Sequence, residues 1–299
     1  MSPSFTSAST LDDALAAVAS GARPVAGGTD LVVGARQGKA PLPKDIVAID
    51  RVDGLRSLEV SDAGLRLGTL VTHGDIVANA DIRTRFTSLA DASAIVGSHA
   101  TRAQGTIGGN VMNASPAMDT GGPLLCFGAA ATLRSSSGER SLGLDELWTG
   151  PGATSARPDE LLVAIDLPAP SAGTGSCYVR LEYRRQMEIA VVGATAVVTM
   201  NGDRIVDARV AITALTPTIR RVLEAESALN GTDGGDAAVA AAAAAAAAAS
   251  TPISDVRGSA EYRRAMAAVI ANRAITAALT RARGGSVPIP ASPALHGES

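Results

Sequence analysis

Gly105-Thr106-Ile107-Gly108-Gly109-Asn110-Val111-Met112-Asn113-Ala114-Ser115-Pro116-Ala117-Met118-Asp119 places three glycines within five residues and follows them with Asn, Ser, Pro and Asp. Glycine has no Cβ, so its backbone can take positive φ and come into contact with a ligand. Successive amide N–H groups in such a segment can converge on a phosphate oxygen without a basic side chain. Read alone, the commoner meaning of this pattern is a Gly-rich turn between two elements. A second stretch, Pro24-Val25-Ala26-Gly27-Gly28-Thr29-Asp30-Leu31, changes that balance. Here a short extended run enters a Gly-Gly turn, and a hydroxyl and a carboxylate follow at once. Neither stretch is the G-x-G-x-x-G of a dinucleotide fold or the G-x-x-x-x-G-K-[ST] of a P-loop. With no Lys to meet a terminal phosphate, a nucleoside triphosphate is a poor match. Two Gly-Gly segments with neutral or acidic neighbours fit a diphosphate gripped by backbone, as in a flavin dinucleotide.

The 299 residues allow one large or two modest domains. Hydrophobic residues make up 46 % and aromatics only 2 %, so the core must be built mainly from Ala, Val, Leu and Ile. A net charge of −3 leaves no electrostatic footprint for nucleic acid or an anionic membrane. Cys126 and Cys177 are far apart and without a Cys-x-x-Cys, which suits a reduced pair. Two cysteines cannot supply the four thiolates of an iron–sulfur cluster. Residues 1–10 lack the pattern of a signal peptide, and the apolar run 240–249 is too short to span a bilayer. A soluble cytoplasmic protein is the expectation.

Outward from the glycines, the chain reads as alternating short elements. Thr10 is a good N-cap for a helix that stops at Gly21. Residues 24–26 and 46–50 read as strands, and Leu58-Glu59-Val60 with Leu65-Arg66-Leu67 reads as a hairpin. Thr72 caps a further helix, and residues 86–96 form another, ending at Gly97. Strands follow at 130–134 and 161–167, and residues 171–176 look like a linker. Beyond it come three strands, at 178–183, 189–200 and 204–215, with Asn201-Gly202 as a hairpin signal. Helices at 219–229, 236–250 and 259–283 close the chain, stopped by Gly284-Gly285. Strands followed by helices imply an α+β second domain.

His73, His99 and His296 are scattered without metal-ligand spacing, and no Ser/His/Asp or Cys/His arrangement stands out. No catalytic or metal-binding residue is therefore expected in this chain.

Ala26-Gly27-Gly28-Thr29-Asp30-Leu31 and Thr106-Ile107-Gly108-Gly109-Asn110, with Pro116 and Asp119 beyond, resemble the FAD-binding medium subunit of molybdenum hydroxylases. That family includes the xanthine dehydrogenase and carbon monoxide dehydrogenase types. Ser254-Asp255-Val256-Arg257-Gly258-Ser259-Ala260-Glu261-Tyr262-Arg263-Arg264 resembles its C-terminal signature, so the likeness spans residues 9–283 in one order. The resemblance implies an α+β chain with a two-lobed FAD-binding domain of the vanillyl-alcohol-oxidase/PCMH type over residues 1–172. A smaller C-terminal domain over 173–285 would hold a three-stranded antiparallel sheet and a helix bundle, leaving 286–299 as a tail.

The same resemblance implies a cofactor site. Ala26, Gly27, Gly28, Thr29, Asp30, Leu31, Thr106, Ile107, Gly108, Gly109 and Asn110 would hold the FAD diphosphate, mainly through backbone. Asp119 would bind the flavin polyol chain, a helix cap being the alternative. Arg102 could face the diphosphate or a partner subunit, with an ordinary solvated Arg as the bland reading. Arg184-Arg185-Gln186-Met187-Glu188-Ile189-Ala190 matches the segment that presents a residue, here Ile189, to the flavin ring. An aromatic at Ile189 and Gly-His-Ser in the first loop mark the carbon monoxide branch. Ile189 and Gly-Thr-Asp here argue against carbon monoxide as substrate. Glu188 stands where Asp is commoner.

Functionally, the resemblance implies an electron-transfer subunit. A large subunit would oxidise an organic substrate at a molybdopterin centre, and a small subunit with two [2Fe–2S] clusters would pass electrons to the FAD of this chain. The FAD would hand them to a quinone, NAD or oxygen. The assembly would be a heterotrimer or its dimer, a heterohexamer. A self-sufficient FAD-dependent oxidoreductase is the alternative, and a scaffold that has lost its flavin is a third reading.

Overall fold

The computed structural model describes residues 4–38 and 40–296, so 1–3 of the polar start and 297–299 of the tail lie outside the described residues. The first lobe contains β1 (Ser4–Ser7), α1 (Leu11–Ala19), β2 (Arg23–Val25), α2 (Leu31–Arg36) and β3 (Asp45–Ala48). β1 and β2 both pair in parallel with β3, giving the order β1-β3-β2. The predicted helix start holds: Thr10 accepts from the Asp13 amide at 3.1 Å, and the chain turns out of α1 through Gly21 at φ +94°. Leu15 and Val18 of α1 pack on Val47 and Ile49 to make this lobe's small core. β1 was not legible in the sequence. Its four residues are all exposed, so no hydrophobic alternation marks it; backbone pairing with β3 and a Ser4 Oγ bond to Asp45 at 2.5 Å hold it.

The second lobe opens with the predicted hairpin, β4 (Leu58–Ser61) and β5 (Gly64–Gly68). Six short helices follow: α3 (His73–Ala78), α4 (Ala80–Arg85), α5 (Thr87–Ile95), α6 (His99–Arg102), α7 (Ile107–Asn113) and α8 (Gly121–Cys126). The chain then adds β6 (Ala130–Ser135), β7 (Gly138–Gly143), α9 (Leu144–Leu147), β8 (Trp148–Gly150), β9 (Ala153–Thr154) and β10 (Leu161–Pro168). β4-β5-β10-β6-β7 form an antiparallel sheet with β10 at its centre. Leu67, Leu133 and Ile165 of that sheet, with Ile107, Val111 and Leu124 of the helices, make the second core.

The last third contains β11 (Thr174–Leu181), β12 (Val192–Asn201), β13 (Arg204–Thr213), β14 (Arg220–Arg221), α10 (Leu223–Leu229), α11 (Asp236–Ala248), α12 (Ala260–Ala282) and α13 (Ala291–Leu295). The sheet has four strands, not three, because Arg220 and Arg221 pair with Ile212 and Ala211 before the helix begins. The expected hairpin is present, with Gly202 at φ +58° just after Asn201. The expected linker is partly strand. β11 starts at Thr174, and a Cβ on Gly175 would come within 2.2 Å of the Ala282 amide, so glycine there serves close packing on α12. One face of the sheet, with Val179, Ala196 and Val210, packs on α10–α12, while Val197 and Ala211 on the other face join the second core. That two-sided burial explains why the strands read as continuous apolar runs. Both cysteines are free and buried.

Candidate functional site

The two glycine stretches meet. A Cβ on Gly27 would stand 1.9 Å from the Gln104 carbonyl oxygen, and one on Gly105 would lie 3.4 Å from Thr29 Oγ1. Gly28 turns the first loop at φ +67°, a region costly to any side chain, and leads into α2 through Asp30. Among the described residues the amides of Gly27, Gly28 and Thr29 have no hydrogen-bond partner. They are three N–H groups available to a ligand next to a helix start. Leu31 is half-buried and Asp30 is exposed.

The second stretch differs from the loop expected of it. Gly108 and Gly109 form the first turn of α7, with Thr106 as N-cap accepting from the Gly109 amide at 3.0 Å. The Ile107 amide donates to Val71 O at 2.9 Å and that of Gly108 to Thr69 O at 3.1 Å. The Asn110 amide bonds Thr106 O at 3.0 Å, and its side chain accepts from Thr120 Oγ1 at 2.6 Å. These amides are already committed within the chain. Gly108 itself is required by packing, since a Cβ would fall 1.7 Å from Thr69 Oγ1. The amides without a partner among the described residues thus lie in the first loop, while the second packs against it and presents the exposed Gly109.

Asp119 is buried and caps no helix; α8 begins after Thr120 without a side-chain cap. It accepts from Tyr178 Oη at 2.7 Å and Arg180 Nη1 at 2.8 Å, both on β11. Burial pushes the Asp119 carboxyl above its ordinary value, with Arg180 and the Tyr178 hydroxyl opposing. Burial and Asp119 hold the Tyr178 phenol well above its ordinary range, so it remains a protonated donor. Arg180 is completely buried, and its Nε also reaches the Glu182 carboxylate. Burial works against its charge, but Asp119, Tyr178 and Glu182 outweigh that and raise it, leaving a permanent cation. Its Nη1 extends to Glu188 O at 3.3 Å, next to Ile189, whereas Nη2 has no partner among the described residues. Arg180 thus lies between Asp119 and the Ile189 segment.

Arg102 is not the solvated residue that surface statistics suggest. It is buried and donates from Nη1 to Val96 O at 2.9 Å. Nearby, His73 lies beneath the central stretch, its amide bonding Gly105 O at 3.1 Å. Its Nδ1 is buried without a partner among the described residues. Burial, helped by the Arg102 charge, lowers its pKa to about 4. The Ile189 segment is tied back to the same region: Met187, at φ +52°, donates its amide to Gly97 O at 2.9 Å. Ile189 itself is 44 % exposed, and Tyr183 and Met187 of the same segment are exposed too.

Residues 2–170 match the family described as the FAD binding domain in molybdopterin dehydrogenase, over more than half of the chain. The chain belongs to that family. Residues 178–278 of this flavoprotein further match the CO dehydrogenase flavoprotein C-terminal domain. It is 31 % identical over 262 residues to the carbon monoxide dehydrogenase medium chain of Afipia carboxidovorans, covering 88 % of this chain and 90 % of that one. It is 32 % identical over 282 residues to the 6-hydroxypseudooxynicotine dehydrogenase complex subunit alpha of Paenarthrobacter nicotinovorans, covering 92 % and 94 %. A chain of the reconstituted CO dehydrogenase from Oligotropha carboxidovorans superimposes with a TM-score of 0.89 at 30 % identity, covering 94 % of this chain and 100 % of that chain. The flavoprotein is thus an oxidoreductase component with an FAD-binding domain, as the sequence motifs implied.

Its residues fit that cofactor. Free amides at Gly27 to Thr29, the orphaned Nη2 of Arg180 and the Asp119 carboxylate supply donors and an acceptor for a polyol diphosphate. Among the described residues no group of three His, Cys, Asp or Glu could hold a metal ion. No helix there is long and apolar enough to cross a membrane. Tyr178, Arg180 and His73 were not predicted as site residues. Tyr178 and Arg180 left a signal: with Ser176 they make a polar period-two register on a strand whose other face is apolar.

Proposed function

We propose that this chain is the FAD-carrying electron-transfer subunit of a molybdenum hydroxylase. The observation that carries the reading is Arg180: a buried cation bound to Asp119 on one side and Glu188 O on the other, with Nη2 unpartnered among the described residues. Ala26, Gly27, Gly28, Thr29, Asp30 and Leu31 bind the diphosphate, with Thr106, Ile107, Gly108, Gly109 and Asn110 as the opposing wall. Arg102 adds positive charge, Asp119 binds the polyol chain and Ile189 faces the ring. FAD, when bound, supplies electron acceptance and release in one- or two-electron steps. The chain's own part is to grip, orient and electrostatically bias it, while Tyr183, Met187 and Ile189 are exposed on the segment an electron donor would approach.

The donor is a small subunit with two [2Fe–2S] clusters, fed by a large molybdopterin subunit that oxidises the organic substrate, in a cytoplasmic dimer of heterotrimers. The final acceptor is external. Nearly equal identity to chains named for carbon monoxide and for 6-hydroxypseudooxynicotine supports placing substrate choice on another chain. The test is direct: the purified chain should take up one FAD, and acid precipitation should release the yellow chromophore into the supernatant. Failure to bind FAD would refute the reading, and colour retained in the pellet would refute non-covalent binding.

A further inference from the structure

Residues 286–296 lie beyond both family matches, which end at 170 and 278. They run back from α12 to the outer edge of β11, the terminal strand of its sheet. An edge strand exposes unpaired N–H and C=O groups unless something covers them. Here side chains take each of four such groups. Arg281 Nη1 donates to Ser176 O at 2.7 Å, and Asp91 accepts from the Tyr178 amide at 3.2 Å. Ser292 Oγ accepts from the Arg180 amide at 3.0 Å, and His296 Nε2 lies 2.6 Å from Arg180 O. Arg273 Nη1 stands 2.6 Å from His296 Nδ1. A guanidinium only donates, so Nδ1 is the acceptor, and Nε2 carries the proton given to Arg180 O.

The strap is itself anchored. Arg281 Nη2 donates to Val287 O and Pro288 O at 3.1 and 3.0 Å, the Ala291 amide to buried Asp91 at 3.1 Å, and Ala291 and Ser292 are fully buried. Asp91 belongs to α5 in the FAD-binding half, so one carboxylate ties α5, β11, α12 and the strap together.

We infer that Ser292 and His296 are positioning residues for the flavin site. By holding both backbone groups of Arg180, they fix the register from which its guanidinium and the Tyr178 hydroxyl reach Asp119. The inference rests on the flavin reading above. It is tested on the full-length chain with FAD, reading the dissociation constant and the visible circular dichroism of the bound flavin. The double variant Ser292→Ala/His296→Leu should bind FAD about tenfold more weakly, roughly two modest hydrogen bonds, with altered dichroism. His296→Gln keeps an N–H donor and should stay within about twofold of wild type on the same hydrogen-bond arithmetic. Arg283→Ala, which loses a 2.7 Å bond to Asp233 O away from β11, should lower the melting temperature without changing FAD binding. Unchanged affinity and dichroism in the double variant, or an equal loss in Arg283→Ala, would overturn the inference alone. A wild-type chain that takes up no FAD would overturn the flavin reading and the inference with it.

Discussion

Asp119 Oδ2 and Arg180 Nη1 lie 2.8 Å apart in a buried ion pair that joins the loop after α7 to strand β11. They lie 61 positions apart in sequence. The pair bridges the FAD-binding half and the C-terminal half. Breaking such a pair from one side strands a buried charge, typically at a cost of about 3–5 kcal/mol. Asp119→Asn should therefore destabilise the chain by roughly that amount and abolish tight FAD binding. Adding Arg180→Gln should restore only part of the stability, because the cation stranded by Asp119→Asn is gone but the Glu182 carboxylate then loses its partner, and it should not restore the flavin. Denaturant melts and FAD titrations of the two singles and the double form the cycle. Additive stability losses would contradict coupling between the two residues.

The glycines should separate into two classes. A Cβ on Gly28 meets only Val25 and Val32 at 3.5 Å, so Gly28→Val carries mainly the strain of φ +67°, about 1–2 kcal/mol. A Cβ on Gly108 collides with Thr69, so Gly108→Val must displace α7 from β5. Gly28→Val should lose FAD affinity with a small drop in melting temperature; Gly108→Val should lose both together. Unchanged FAD affinity in Gly28→Val would show that the first loop is not the specific ligand contact.

Much of the fold was legible where patterning and caps agree. Thr10, the Leu58/Leu65 hairpin and Ser259, which caps α12 by accepting from the Tyr262 amide, each carry a local signal strong enough to survive packing. Gly108 and Gly109 read as loop because glycine is a poor helix former. Packing overrides that propensity: Ile107 and Val111 are fully buried, and Trp148 Nε1 bonds Val111 O at 3.0 Å. The glycine positions of the site could be named from sequence, but not which of their amides would be free, because Thr69 and Val71 come from a distant strand end. The Asp119–Arg180 contact was invisible for the same reason. No local pattern encodes it.

His73 should leave a signature in the pH dependence of stability. Its pKa is lowered to about 4 by burial and by Arg102, against 6.5 in an unfolded chain. The unfolded state binds the proton first, so the neutral buried ring contributes fully above pH 6.5 and that contribution is lost as pH falls towards 4. The shift corresponds to about 3 kcal/mol across that window. His73→Gln should be less sensitive than wild type to acidification between those values, as measured by urea midpoints at fixed pH. Parallel curves for the two proteins would mean that His73 does not titrate with unfolding.

The central claim is that this chain relays electrons and does not oxidise an organic substrate by itself. The decisive measurement is the visible flavin band of the FAD-loaded chain under anaerobic conditions. Dithionite should bleach it and an acceptor dye should restore it, whereas the substrate of the co-purified complex should leave it unchanged until the molybdenum and iron–sulfur subunits are added. Bleaching by that substrate with the single purified chain would contradict the subunit reading and establish a self-sufficient flavoenzyme.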